Sequence, residues 1–197
     1  MKNTNDSSND AQARSRRLAL PNITSAMALA VSVFALALGA WQTRLMQSQA
    51  RASVWPHLEI GYTYNSNADE NGFLWRIDNN GVGPARIETV ALSLDGKPMT
   101  NWPQVLKALG FKGEMRVSTT SLAGEVIPPS LNRETAIDTI RINQRDAASL
   151  FKEAVPRFKM DICYCSVYDD CWIARWQITK VEPVARCESA GITQFDG

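Results

Sequence analysis

Four cysteines, Cys163, Cys165, Cys171 and Cys187, crowd into the last 35 residues of this 197-residue chain and are the side chains best suited to chemistry. Thiols so placed can form structural disulfides, act as a redox pair, or bind a soft metal such as Zn²⁺ or Cu(I). The surrounding pattern discriminates among these. Phe158, Met160, Ile162 and Tyr164 alternate with other residues, and Trp172, Ala174, Trp176 and Ile178 do the same, which predicts a β-hairpin with its turn at Ser166–Cys171. If Tyr164 and Trp172 face the core as a cross-strand pair, Cys165 lies opposite Cys171, and Cys163, Cys165 and Cys171 share the other face. A Cys165–Cys171 bridge would then close the hairpin. It would leave Cys163 to bond Cys187 after the Val181–Pro183 segment.

The rival chemistries fit less well. A redox-active Cys163-x-Cys165 pair needs a helix N-terminus or a nearby cation to stabilise a thiolate, whereas this pair sits mid-strand near Asp161. The spacing C-x-C-x5-C-x15-C matches no familiar zinc pattern, so no metal ligand is expected.

Other reactive residues are sparse. The single histidine, His57, follows Trp55-Pro56 with no serine or cysteine nearby in sequence, and it reads as a surface or linker residue. Asp169-Asp170 reads as a solvated turn at the hairpin tip. The loop Asn79-Asn80-Gly81-Val82-Gly83-Pro84 carries residues that tolerate positive φ, but lacks the third glycine and following helix of a phosphate-binding loop. The tryptophans at 41, 55, 75, 102, 172 and 176 are assigned mostly to inward faces or a membrane interface. No catalytic residue and no cofactor are expected.

These residues need a scaffold, and the chain supplies one after residue 55. Leu58–Tyr64 and Phe73–Ile77 alternate as strands, and Arg86–Leu94 forms a third, closed by Asp95-Gly96. Asn101, Pro103 and Gly110 bracket a helix with Val105, Leu106 and Leu109 on one face. Glu114–Thr119, Leu122–Ile127 and Thr135–Ile142 are further short strands. A second helix begins near Asn143 and Asp146, presents Leu150, Phe151 and Val155, and stops at Pro156. About seven strands and two short helices predict a mainly β domain, an antiparallel sandwich of immunoglobulin-like type.

The N-terminal quarter is different in kind. Residues 21–41 carry no charge, and at ~1.5 Å rise per residue they match the ~30 Å hydrocarbon core of a bilayer. Trp41 and Arg44 follow at the membrane interface. A cleavable signal peptide is the nearest rival, with Ala35-Leu36-Ala37 or Ala37-Leu38-Gly39 as cleavage sites. The length of the apolar run and its 20-residue leader favour an uncleaved anchor. Ala35-x-x-x-Gly39 offers a small-residue face, a spacing common in Ala-rich spans. Lys2, Arg14, Arg16 and Arg17 precede the span and outnumber Arg44 and Arg51 after it. The positive-inside tendency therefore places the N-terminus in the cytoplasm. The expected organisation is a disordered cytoplasmic leader (1–20), a transmembrane helix (21–43), a helical stalk (44–54) and a periplasmic domain (55–197). Disulfide formation in that domain is consistent with an oxidising compartment.

The first 51 residues hold six Lys/Arg and two Asp/Glu, a net +4; the remaining 15 Lys/Arg and 18 Asp/Glu give −3. A domain at −3 with scattered arginines has no electrostatic footprint for nucleic acid. The segments GVGPARI (Gly81–Ile87) and YCSVYDDCW (Tyr164–Trp172) resemble stretches of uncharacterised bacterial single-span inner-membrane proteins. That resemblance implies an inner-membrane setting with an external domain and carries no activity. The expected partners are the lipid bilayer and another envelope protein. The expected role is binding or scaffolding, with a thiol-redox or metal-handling protein built on the cysteine cluster as the alternative.

Overall fold

The computed structural model describes residues 6–65, 72–113, 117–130, 136–188 and 191–197. The chain divides into two units, Met1–Ala50 and Arg51–Gly197.

The described residues of the first unit all belong to the helix α1 (Asp6–Ala52). The expected disordered leader is therefore not a separate element among the described residues: the helix runs through it from Asp6 and past Pro21 without a break. Residues 6–20 contain neither Gly nor Pro and include Ala11, Ala13, Leu18, Ala19 and Leu20, all good helix formers. Residues 1–5, and the side chains of Arg14, Arg16 and Arg17, lie outside the described residues. From Ile23 onward the helix is long and apolar enough to cross a membrane, and none of its most apolar stretch is buried. Met27, Leu29, Val31, Phe34 and Leu36 are all exposed, as are Trp41 and Arg44. So many bare apolar side chains are costly in water and favourable in lipid. Ser32 and Thr43 return their hydroxyls to the carbonyls of Ala28 and Gly39, so these polar groups are satisfied within the helix.

The second unit is built from β1 (Leu58–Asn65), β2 (Gly72–Asn79), β3 (Ala85–Leu94), β4 (Lys97–Met99), α2 (Trp102–Ala108), β5 (Val117–Thr119), β6 (Val126–Ile127) and β7 (Ile137–Ile142). It continues with α3 (Arg145–Ala154), a 3-10 turn (Val155–Arg157), β8 (Phe158–Cys165), β9 (Cys171–Arg175) and β10 (Ile178–Val184). All strand pairs are antiparallel. One sheet has the order β1-β2-β7-β5; the other has the order β10-β9-β8-β3-β4, with β6 also paired to β3. Inward residues of both sheets, including Phe73, Trp75, Ile140, Leu92, Met160 and Ile162, belong to one buried cluster. The described residues thus form a mainly β domain of two antiparallel sheets around a shared core.

Trp75 occupies the centre of that core, fully buried, with its ring centroid 5.1 Å from both Phe158 and Trp176 and 6.0 Å from Phe73 and Trp102. Helix α2 delivers Trp102. Its start is fixed by Asn101, whose Oδ1 accepts from Gln104 N–H at 2.9 Å, while Gln104 Oε1 accepts from Thr100 N–H at 2.8 Å. The C-terminal tail also reaches the core, since Phe195 is buried with its ring 4.9 Å from Trp102.

Three sequence expectations shift. Ten strands are present among the described residues rather than about seven, the additions including β4 and β10. The strand expected through Ile178 ends at Arg175, because Gln177 adopts a left-handed φ of 65° and turns the chain into β10. Trp176 sits on that turn, half-buried, its Nε1 donating to the Val155 carbonyl at 3.4 Å. Tyr62, expected inward, is 43% exposed and stacks on Phe73 from the edge strand.

Candidate functional site

Strands β8 and β9 pair with Tyr164 opposite Trp172 and Cys165 opposite Cys171, the register read from the alternation. That register turns Tyr164 inward, fully buried, and leaves the cysteines on the opposite face of the sheet. They are covered nonetheless. Cys163, Cys165 and Cys171 are all buried, and Cys163 is paired across β3 with Thr89, itself 5% exposed. A bulge between Ile87 and Thr89 restores the inward phase, so Ile87 and Val90 both reach the core.

The four sulfurs form one cluster. Cys163 Sγ lies 2.05 Å from Cys187 Sγ, and Cys165 Sγ lies 2.04 Å from Cys171 Sγ, so the structure joins the pairs named above. Cys165 Sγ is also only 3.8 Å from Cys187 Sγ. Cys165, Cys171 and Cys187 all have their sulfurs within 4.8 Å of one another. Those three are the natural donor set for a soft metal if reduced; bonded in pairs, they offer no thiolate to a cation.

The tip of the hairpin is organised rather than merely solvated. Ser166 N–H donates to Asp170 O at 2.8 Å, and Ser166 Oγ accepts from Tyr168 N–H at 3.2 Å. Asp169 takes a left-handed φ of 58°, a conformation Asp tolerates better than most residues. Its carboxylate accepts from Arg86 at 2.7 Å, and Asp170 accepts from Arg51, whose guanidinium also lies 5.8 Å above the Tyr168 ring. Asp169 foremost, then Glu88, pushes the Arg86 guanidinium above its ordinary pKa. These pairs are exposed, and each contributes little to stability on its own.

No family model, curated protein or solved structure matches this chain. Function must therefore be argued from its own residues.

The second organised region is the loop after β2, which grips the segment leading into the domain. Asn79 is fully buried and makes four hydrogen bonds. Its Nδ2 donates to Gly83 O and Ile127 O at 2.8 and 3.0 Å, and its Oδ1 accepts from His57 N–H and Gly81 N–H at 3.1 and 3.0 Å. Neither Gly81 nor Gly83 has a positive φ, so conformational freedom is not why glycine stands there. Close approach is the reason. A Cβ on Gly83 would lie 2.0 Å from Val54 O, and one on Gly81 would lie 2.4 Å from Trp55 O and His57 N. Gly83→Ala is therefore expected to displace residues 54–57 and destabilise the domain by about 2 kcal/mol, as over-packing does. Thermal unfolding of the variant checks this.

His57 rests against Trp55, ring centroids 5.2 Å apart, beside a groove of about 180 Å³ lined also by Glu59, Arg175 and Gln177. The same groove is lined by Ile60, Ile178 and Thr179. The residues that sequence reasoning missed are Asn79 and Arg51. Both are defined by long-range contacts rather than by any local pattern.

Tyr164 carries a testable titration. Burial pushes its pKa up to about 12 from 10.0, only partly offset by the Leu58 N–H that donates to its hydroxyl at 3.4 Å. The folded state favours the neutral phenol, so this stabilisation is complete below pH 10 and is lost as the pH rises through about 12. The loss amounts to roughly 2 kcal/mol. Denaturant unfolding between pH 9 and pH 12 is expected to show this decline in the wild type, and Tyr164→Phe is expected to lack that component.

Proposed function

We propose that the chain is a bitopic inner-membrane protein whose N-terminus is cytoplasmic and whose periplasmic domain binds or scaffolds another envelope protein. The observation that carries this reading is the junction of two unlike parts. An apolar helix bare of internal packing precedes a stapled β domain whose residues 54–57 are packed against Gly81 and Gly83 and bonded to Asn79. The two antiparallel sheets with Trp75 between them support the immunoglobulin-like assignment of the fold. The Cys165–Cys171 bridge joins β8 to β9 within one sheet, and the Cys163–Cys187 bridge ties β8 to the segment after β10, so neither crosses between the two sheets as in antibody domains.

Fusing alkaline phosphatase after Gly197 tests the topology: activity in intact cells, with retention in the membrane after carbonate washing, is expected. An inactive fusion, or release by carbonate, would sink the reading. The binding role is tested by photo-crosslinking in cells from the exposed positions Val82, Val126 and Val167. A discrete protein adduct is expected, and adducts to lipid alone would contradict it.

A further inference from the structure

We infer that the sulfur cluster is a coupled thiol–disulfide exchange site, which takes up an electron pair from an external dithiol at Cys171 and delivers the reactive thiol at Cys163. This goes beyond the scaffolding role and is independent of topology.

The geometry that points to it is the contact between the two bridges. Here Cys165 Sγ stands 3.8 Å from Cys187 Sγ, close to van der Waals contact, across the gap between the bridges. Three of the four cysteines are fixed by the β8–β9 ladder, so the sulfurs stay together whatever their bonding. A thiolate generated at Cys165 would be held beside the Cys163–Cys187 bond, and proximity of this kind converts a slow bimolecular attack into a fast internal one.

One thiolate of the external dithiol attacks Cys171 Sγ; the Cys165–Cys171 bond breaks and Cys165 leaves as a thiolate. Cys165 Sγ then attacks Cys187 Sγ, forming Cys165–Cys187 and expelling Cys163 as a thiolate. The second thiol of the reagent attacks its own mixed disulfide, releasing Cys171 as a thiol and leaving the reagent as a disulfide. The reagent loses two electrons, and the protein ends with one bridge and two thiols.

The relocation has a structural consequence. Cys163, but not Cys165 or Cys171, lines an open groove of about 660 Å³ together with Thr89, Ile173, Val184, Arg186 and Ile192. A thiol released there would meet the apolar walls of Ile173, Val184 and Ile192 and, at the rim, the exposed Arg186–Glu188 ion pair, 3.9 Å apart.

The test is a disulfide map of full-length Cys171→Ser in detergent, alkylated without denaturant, quenched in acid and digested. Exchange predicts that alkylation moves to Cys163 and that a Cys165–Cys187 peptide appears. Alkylation confined to Cys165, with Cys163–Cys187 intact, overturns the inference. Near-ultraviolet circular dichroism reports whether the variant keeps its packing. If it does not, wild-type protein treated with limiting dithiothreitol decides: Cys165–Cys187 must be the dominant one-bridge species. Surviving Cys163–Cys187 as the dominant species overturns the proposal just as firmly.

Discussion

Trp75→Ala is expected to lower the unfolding free energy by about 4 kcal/mol, the usual cost of removing a buried indole from a core that cannot collapse around the gap. Four aromatic rings from four separate elements meet this one side chain: Phe73 on β2, Trp102 on α2, Phe158 on β8 and Trp176 on the β9–β10 turn. Both sheets and one helix therefore lose contacts together, and no single neighbour can move to refill the space. With domain stabilities near 5–15 kcal/mol, a loss of this size leaves a marginal fold. Guanidinium unfolding of full-length protein in detergent, followed by intrinsic fluorescence, measures it. A shift under about 1 kcal/mol would mean that the two sheets do not share the core described.

The second large effect concerns the bridges, whose contributions are expected to differ with loop length. The Cys163–Cys187 bridge spans 24 residues of sequence and the Cys165–Cys171 bridge only 6. Loop-closure entropy assigns about 3.5 kcal/mol to the first and about 2.4 kcal/mol to the second. The paired variant Cys163→Ala/Cys187→Ala is thus expected to cost more than Cys165→Ala/Cys171→Ala, although the shorter bridge sits within a regular ladder. The longer bridge also ties down the segment after β10, where the chain turns back toward the Phe195 anchor. Equal losses, or a reversed order, would show that strain or residual structure outweighs loop entropy at this site. Parallel denaturant titrations of the two variants supply the comparison.

The hairpin was legible because two independent signals converge on it. Alternation placed Tyr164 and Trp172 inward, and the cysteine spacing agreed with the same register, which is the register found. Strand β10 was not legible. It lies at a sheet edge with a mostly exposed surface, so Ile178–Val184 shows no alternation to read. Trp176 packs against the core as expected, but from a turn and not from a strand, because that turn uses Gln177 at positive φ with no glycine or asparagine to announce it. Helix α1 shows the opposite case, a helix masked by polarity: its start, Asp6–Asp10, reads as a linker, and the helix formers Ala11, Ala13, Leu18, Ala19 and Leu20 follow among polar residues.

The loop after β2 shows where local reading ends. Gly81 and Gly83 were visible as glycines and drew the ordinary explanation, freedom of φ. Their actual constraint is the backbone of residues 54–57 pressed against them, a contact set by tertiary structure. Asn79 likewise looked like a turn residue. Its four hydrogen bonds join β2, the loop, β6 and the entry segment, a role visible only once those strands are brought together. At the sulfur cluster, strand periodicity gave the pairing its geometry, but the 3.8 Å approach of Cys165 to Cys187 depends on the path of the chain after β10.

Thiol labelling in intact cells tests the central claim, a stapled domain displayed outside the cytoplasm, more directly than any other measurement. A membrane-impermeant maleimide is applied with and without prior reduction by an impermeant phosphine. The account predicts no labelling of Cys163, Cys165, Cys171 or Cys187 before reduction and labelling of all four after it, without permeabilisation. Labelling that appears only once the membrane is permeabilised would place the domain on the other side and contradict the account.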